Sequence, residues 1–464
     1  MQNDLTNQSL TRFCALVRSR EISPVELVSA HLEQITKLNR QLNAVVTIAP
    51  DALDRARDAE AAVMSGEVLG QLHGVPVTIK DTIETAGLRS TSGSPLRADF
   101  VPERDAPAVA LLKAAGAIIL GKTNTAEMAM DYTADNPIFG RTHNPHNIRY
   151  TPGGSSGGEA VAISTCMSPA GLGSDLAGSI RIPAHFCGVA GLKPGTGRVP
   201  GEGQFPPSTG PYSLGAVVGP LARSVSDLQQ LFRVLAPIDS NSSSLRLNGL
   251  RVAAFVDDGV ATVDEETAQA VSIASRALSE AGLLVVETRP PHIEFGHDLW
   301  LKLFSRASVV QLRRVYAGRE AEAGSFVSWR LANADDTPSP TLDEYIAFWM
   351  ERDRLRAQLL TWLETTPLIV APVGATAAYE HDTHKVTVAD QTMNVFRAFS
   401  YSQTFNVFDL PAVTVPVLTA NNGLPVGVQI VGRPFAEEMI LAAAAIVEEA
   451  VGGWRRPAVL SQLA

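Results

Sequence analysis

The sequence predicts an α/β fold: a single large mixed β-sheet core wrapped by α-helices. Three observations carry this. Strand-length apolar runs alternate with amphipathic helical stretches over roughly the first 120 residues, the pattern of a layered α/β structure. The alternation restarts near residue 249, and strand-like runs return after residue 366. No internal repeat, coiled-coil run or low-complexity linker interrupts the 464 residues, so these elements are expected to share one core.

Taken in order, residues 9–38 have helical periodicity. Ser23–Pro24 followed by Glu26 reads as a helix start, with Leu27, Ala30, Leu32 and Ile35 on or near one face. Residues 51–65 read as an Ala- and charge-rich helix, Val75–Ile79 as a strand, Ala106–Ala115 as a helix and Ala117–Leu120 as a buried strand. Glycine and proline concentrate in 151–220, and 195–215 reads as a long surface loop. From there the expected elements are a strand at Leu250–Val256, an amphipathic helix at Asp264–Ala281 and a strand at Leu283–Thr288. Helical stretches near 297–318 and 341–364 follow, separated by a polar break at 333–340. Strands at Leu368–Ala371, Ala412–Val417 and Val426–Val431 and a helix at Glu437–Val451 close the chain. The expected organisation is an N-terminal helical segment (1–65), a core with the site (66–240), an inserted peripheral or cap lobe (241–365) and the remainder of the core sheet (366–464), one structural domain in all.

Bulk properties exclude several classes. Apolar residues make up 45% and charged ones 19%, which suits a globular enzyme and not a disordered chain. The formal charge of −10 gives no electrostatic drive toward nucleic acid or anionic membrane. Cys14, Cys166 and Cys187 have no CxxC spacing, which points to buried thiols in a reducing compartment. The N-terminus has no basic stretch followed by an apolar one, so no signal peptide is read. Apolar stretches near 105–121 and 437–451 are broken by Lys113 or by acidic residues, and neither predicts a membrane span. A cytoplasmic protein is expected.

The most informative stretch is Thr151–Pro–Gly–Gly–Ser–Ser–Gly–Gly–Glu159, followed by Gly173–Ser–Asp–Leu–Ala–Gly–Ser–Ile–Arg–Ile–Pro–Ala184. It sets Ser155 and Ser179 in glycine-rich turns, 24 positions apart (179 − 155). Upstream, Gly74–Val–Pro–Val–Thr–Ile–Lys80–Asp81 ends an apolar run on a lysine. Serine, serine and lysine can run acyl transfer without histidine. Small residues before Ser179 let the backbone turn sharply and aim several N–H groups at one point, where an oxyanion could sit. Lys80 can act as a base only if its pKa falls from the reference value of about 10.4, through burial or a nearby positive charge.

These three motifs resemble the amidase signature family, and the likeness covers most of the chain. It includes Gly121–Lys–Thr–Asn124, Asn136–Pro–Ile–Phe–Gly140, Asn144–Pro145, Gly219–Pro–Leu–Ala–Arg–Ser224, Leu410–Pro–Ala–Val–Thr–Val–Pro416 and Pro425–Val–Gly–Val–Gln–Ile–Val–Gly–Arg433. It is weakest at 290–400. The resemblance implies the amidase signature fold, Ser179 as nucleophile, Ser155 after a cis peptide bond as proton relay, and Lys80 as base. It implies an oxyanion hole from the backbone N–H groups of Leu176, Ala177, Gly178 and Ser179. Asp175 and Arg181 become structural supports of the turn. Met128, Met130 and Asp131 fall in a stretch that lines the acyl pocket of relatives; Asp131 also fits a solvated loop aspartate. Two departures stand out. Ser174 replaces the usual Thr and keeps the hydroxyl, while Ala177 replaces a Gly and adds a methyl that narrows the pocket.

Other signals compete with this reading. Gly116–Ala–Ile–Ile–Leu–Gly–Lys–Thr123 matches a phosphate-loop pattern, but its bulky apolar middle reads as a buried strand. Gly153–Gly–Ser–Ser–Gly157 fits a nucleophile-elbow pattern without the buried strand that should precede it. His143, His146 and His185 lack metal-ligand spacing. No metal and no cofactor are expected. The expected activity is that of a stand-alone amidohydrolase of small-molecule linear amides, broad for aryl and alkyl groups, with ester, urea or carbamate (urethane) cleavage as neighbouring chemistry. No nucleic-acid or membrane partner is expected, and a homodimer is compatible with the chain. Two alternatives stand beside this: the glutaminase subunit of a glutamine-dependent tRNA amidotransferase, and a non-catalytic binding protein on the same scaffold. The first class usually has Ser or Ala where this chain has Glu159.

Overall fold

The second helix starts where its sequence signature places it. Ser23 accepts from the N–H groups of Val25 and Glu26, and the Glu26 carboxylate reaches back to the Ser23 N–H at 3.0 Å. The helix then runs Pro24–Leu42 and buries Leu27, Ile35, Leu38 and Leu42. The preceding helix, Leu10–Arg18, makes the 9–38 stretch two helices with a turn between them. The computed structural model describes residues 5–236, 246–334 and 339–457.

Among the described residues, eleven strands form one mixed sheet and two form a hairpin. In chain order they are β1 (Val45–Ile48), β2 (Pro76–Lys80), β3 (Ile118–Thr123), β4 (Ala170–Asp175), β5 (Ala190–Lys193), β6 (Val217–Ala222), β7 (Arg251–Ala254), β8 (Leu284–Glu287), β9 (Leu368–Pro372), β10 (Lys385–Val388), β11 (Gln391–Asn394), β12 (Ala412–Thr419) and β13 (Pro425–Gly432). The sheet order is β1-β3-β2-β4-β6-β5-β12-β13-β9-β7-β8, with β10-β11 as the hairpin. β2 lies parallel to β3 and β4; the ladders from β4 through β6, β5, β12 and β13 to β9 are antiparallel. Helices cover the sheet, so β2, β4, β6 and β13 are buried along their whole length.

The sequence pattern finds most of the elements outside the glycine-rich region. The helices Ala52–Ser65, Pro107–Ala114, Glu265–Glu280, Leu342–Leu363 and Glu437–Val451 and strands β2, β3, β7, β8, β9, β12 and β13 lie where expected. It misses β4, β5 and β6 and the helices Gly157–Ser164 and Arg181–Cys187 inside the glycine-rich region. All these elements are buried on every side, so no apolar/polar alternation marks them. The hairpin and the helix Ser400–Val407 are also unmarked.

Two regions differ from expectation. The 195–215 stretch is not simply a surface loop: Val199 and Tyr212 are buried, and Gln204, Pro206, Pro207, Ser208 and Tyr212 line an internal cavity. Within 241–365, β7 and β8 extend one edge of the main sheet, while Trp300, Phe304, Ser308 and Arg330 reach the cavity. The boundary placed at 240 and the centre of the polar break at 333–340 lie outside the described residues; a helix at Ser325–Ala332 precedes that break.

Candidate active site

β2 delivers Lys80 into the core. The side chain is fully buried, and its Nζ donates to Ser155 Oγ at 2.6 Å and to Ser174 Oγ at 3.0 Å. Burial pushes the Lys80 pKa down from 10.5 to about 7, against the opposing pull of the Asp175 and Glu159 carboxylates. Glu159 lies in the first turn of the helix Gly157–Ser164 and is completely buried. Its carboxylate accepts from Thr78 Oγ1 and, at 2.7 Å, from Thr123 Oγ1. Burial raises its pKa from 4.5 to about 7, and these hydroxyls and the two nearby lysines work the other way.

Ser155 enters this helix through a cis Gly154–Ser155 peptide. Position 154 has no room for a side chain: a Cβ there would lie 2.0 Å from the Thr133 carbonyl oxygen. The next residue joins the two serine turns, because the Ser156 N–H donates to the Ser179 carbonyl at 3.1 Å. Ser179 sits on the turn between β4 and the helix Arg181–Cys187. It follows Gly178 at φ +110°, where a Cβ would meet Ile182 and Ser402 at 2.7 Å. Ser179 is 7% exposed, and that exposure faces the cavity, which Ser155 also lines.

Asp175 and Arg181 brace this turn. Arg181 donates to both Asp175 oxygens, from Nε at 3.1 Å and Nη2 at 3.0 Å, and also to Gln429 and Asn406. Asp175 further accepts from the N–H groups of Gly178 (2.8 Å) and Ile180 (3.1 Å). Burial by itself would raise the Asp175 pKa, but the adjoining guanidinium outweighs it and holds the carboxyl well below the usual carboxylate range. The Gly178 N–H is therefore already taken, which removes it from the expected set of oxyanion donors. The N–H groups of Leu176, Ala177 and Ser179 meet no hydrogen-bond acceptor among the described residues.

A cavity opens over Ser179, lined mostly by apolar side chains. Met128, Met130 and Asp131 all line it. Met128 is buried in a small separate cluster with Leu312, Tyr316 and Val327. Asp131 lies half-buried in a bend beside the cavity: it accepts from the Tyr132 N–H at 2.8 Å and Thr133 Oγ1 at 3.1 Å, and burial raises its pKa. Sequence reasoning missed the aromatic walls Trp300, Phe304 and Phe396. No local motif could have found them, since they reach the site from distant helices and turns. The phosphate-loop look-alike is strand β3, buried along its length.

The fold is shared with solved amidases. The family model described as Amidase matches residues 26–441, and the chain belongs to this amidase (amidase signature) family. It is 32% identical to a glutamyl-tRNA(Gln) amidotransferase subunit of Moorella thermoacetica, over 95% of this chain and 96% of the relative. It is 33% identical to an indoleacetamide hydrolase of Bradyrhizobium diazoefficiens, over 94% of this chain and 85% of the relative. Among solved structures, a bacterial aryl acylamidase of the amidase signature family superposes with a TM-score of 0.83 at 27% identity, covering 98% of this chain and 97% of that one. No helix among the described residues is long and apolar enough to cross a membrane.

Proposed function

We propose that this amidase is a stand-alone amidohydrolase that forms an acyl-enzyme on Ser179, with Ser155 and Lys80 as its proton relay. The observation that carries the reading is the 2.6 Å contact between Lys80 Nζ and Ser155 Oγ, both side chains being fully buried. A lysine with a pKa near 7 is substantially neutral at neutral pH and can take a proton. Lys80 accepts the proton of Ser155 as Ser155 accepts that of Ser179. The Ser179 oxygen then attacks the amide carbonyl. The tetrahedral oxyanion is held by free N–H groups of Leu176, Ala177 and Ser179. The relay runs backward to protonate the leaving nitrogen, because an amine anion is too poor a leaving group to depart alone. Water enters by the same route, breaks the acyl–oxygen bond and releases the acid.

The mostly apolar walls favour aryl and alkyl groups on either side of the scissile bond. Met128 and Met130 add adaptable surface. Esters, ureas and carbamates pass through the same tetrahedral geometry and are neighbouring substrates. Relatives of comparable identity include both an indoleacetamide hydrolase and a component of an amidotransferase, so similarity alone does not separate the two activities. Glu159, where the amidotransferase class usually has Ser or Ala, favours the stand-alone form.

The test uses the purified chain alone. It should release aniline from a model anilide and take up one fluorophosphonate per chain, with both properties lost in Ser179→Ala. Action on glutamine only, or only with added partner subunits, would establish the amidotransferase reading. No labelling of the intact protein would leave a binding module.

A further inference from the structure

The turn Leu176–Ser179 carries the N–H groups assigned above to the oxyanion, and each of its carbonyls is tied back. Gly178 O accepts from the Ile182 N–H at 2.7 Å, and Ser179 O accepts from the Ser156 N–H at 3.1 Å. The other two carbonyls are held by side chains from elsewhere in the chain. The Tyr132 hydroxyl donates to Ala177 O at 2.8 Å, and the Trp300 indole Nε1–H donates to Leu176 O at 3.1 Å, from 124 positions away. In a planar trans peptide the C=O and the following N–H point in opposite directions. Fixing the Leu176 carbonyl therefore fixes the direction of the Ala177 N–H. The next peptide is clamped at both ends, by Tyr132 on its oxygen and by Asp175 on its nitrogen.

We propose that Trp300 and Tyr132 are positioning residues: Trp300 holds the Ala177 N–H in its working direction for the oxyanion, and Tyr132 anchors the middle peptide, whose own N–H goes to Asp175, between the peptides that carry the Ala177 and Ser179 donors. The inference rests on the reading of Ser179 as nucleophile. Both side chains are themselves held firmly. Tyr132 is 1% and Trp300 6% exposed. Gln403 Nε2 donates to the Tyr132 hydroxyl at 2.8 Å, and Gln403 Oε1 lies 2.6 Å from His297 Nδ1. The Phe396 ring packs 4.8 Å from the Tyr132 ring and 6.0 Å from the Trp300 ring, centre to centre. An indole N–H can only donate, so its one polar contact has a defined sense. The backbone bonds of the turn account for two of its four carbonyls; the remaining two depend on these side chains. A turn left to itself can rotate its peptides at little cost, whereas oxyanion stabilisation needs donors aimed before the charge develops.

The test compares Trp300→Phe and Tyr132→Phe with the parent protein, each keeping a ring and losing one donor. Rates are expressed per active site, counted by fluorophosphonate labelling at saturation. Each variant should lower kcat for an anilide by about 10- to 100-fold with KM held within about threefold, the signature of an interaction used in the transition state. Affinity for a trifluoromethyl ketone, which forms a tetrahedral adduct on the serine, should fall in step with kcat. Affinity for the planar product carboxylate should fall much less. A kcat within about threefold of the parent in either variant overturns the proposal for that residue. So does an equal loss of both affinities, which marks a packing role. If one variant fails to fold, the other still decides, because the two donors act on different peptides. Retention of activity in Ser179→Ala would instead overturn the nucleophile assignment.

Discussion

For individual residues, chemistry is set by what burial does to charge. Lys80 loses its hydration, so its pKa falls to about 7 and the neutral amine gains population as pH rises through that value. Amidase activity should therefore rise with pH and level off above about 7. Lys80→Met should remove roughly 10²- to 10⁴-fold of the rate across that range, as loss of a proton-transfer group does. A pH–rate profile of kcat/KM checks both. Glu159 opposes the fall, because its carboxylate favours the charged amine. Glu159→Gln should move the rising limb to lower pH; an unmoved or higher limb would show that the two groups are uncoupled. Arg181 answers the buried Asp175 carboxylate from both of its oxygens. Arg181→Met would leave that carboxylate without its counter-charge and should cost about 3–5 kcal/mol of stability, read from the denaturant midpoint.

Among the elements, the site depends on how closely backbones approach. The helix Gly157–Ser164 packs on β2 and β4 so tightly that Glu159 rests against Gly171. A Cβ at that glycine would stand 2.1 Å from Glu159 Oε1 and 2.3 Å from the Thr78 carbonyl oxygen. Gly171→Ala should thus force the helix away from β4, destabilise the fold by about 1–3 kcal/mol and lower activity with it, checked by thermal unfolding and an anilide assay. The helices Pro24–Leu42 and Glu265–Glu280 are legible in the sequence because each has one wet face, whereas the buried strands β2, β3, β9 and β13 are read from continuous runs rich in Val, Ile and Leu. Ser23 caps its helix and Asp264 caps Glu265–Glu280, and both starts can be read from the amino acids. β4, β6 and the two site helices are not legible, because small residues buried on both faces erase the period that betrays a strand or helix.

Across the molecule, the sheet order explains the convergence. β2 and β4 are neighbours, so Lys80 at the end of one reaches Ser174 on the other, just before the turn that carries Ser179, although they lie far apart in sequence. If the chain acts alone, adding amidotransferase partner subunits should not change its anilide kcat/KM; a large stimulation would point to the other branch of the family. The amino acids alone specify the family, and its motifs are what single out Lys80, Ser155 and Ser179, because each of the three sits in a short run marked by neighbouring glycines and prolines. Packing of the whole chain was needed to establish that Gly178 has no N–H to spare, that Asp131 is turned into the fold, and that Tyr132 and Trp300 grip the nucleophile turn. The difference is one of range: a turn's shape follows from a few adjacent residues, but a hydrogen bond or a cavity wall belongs to whichever distant side chains the packed sheet brings to it.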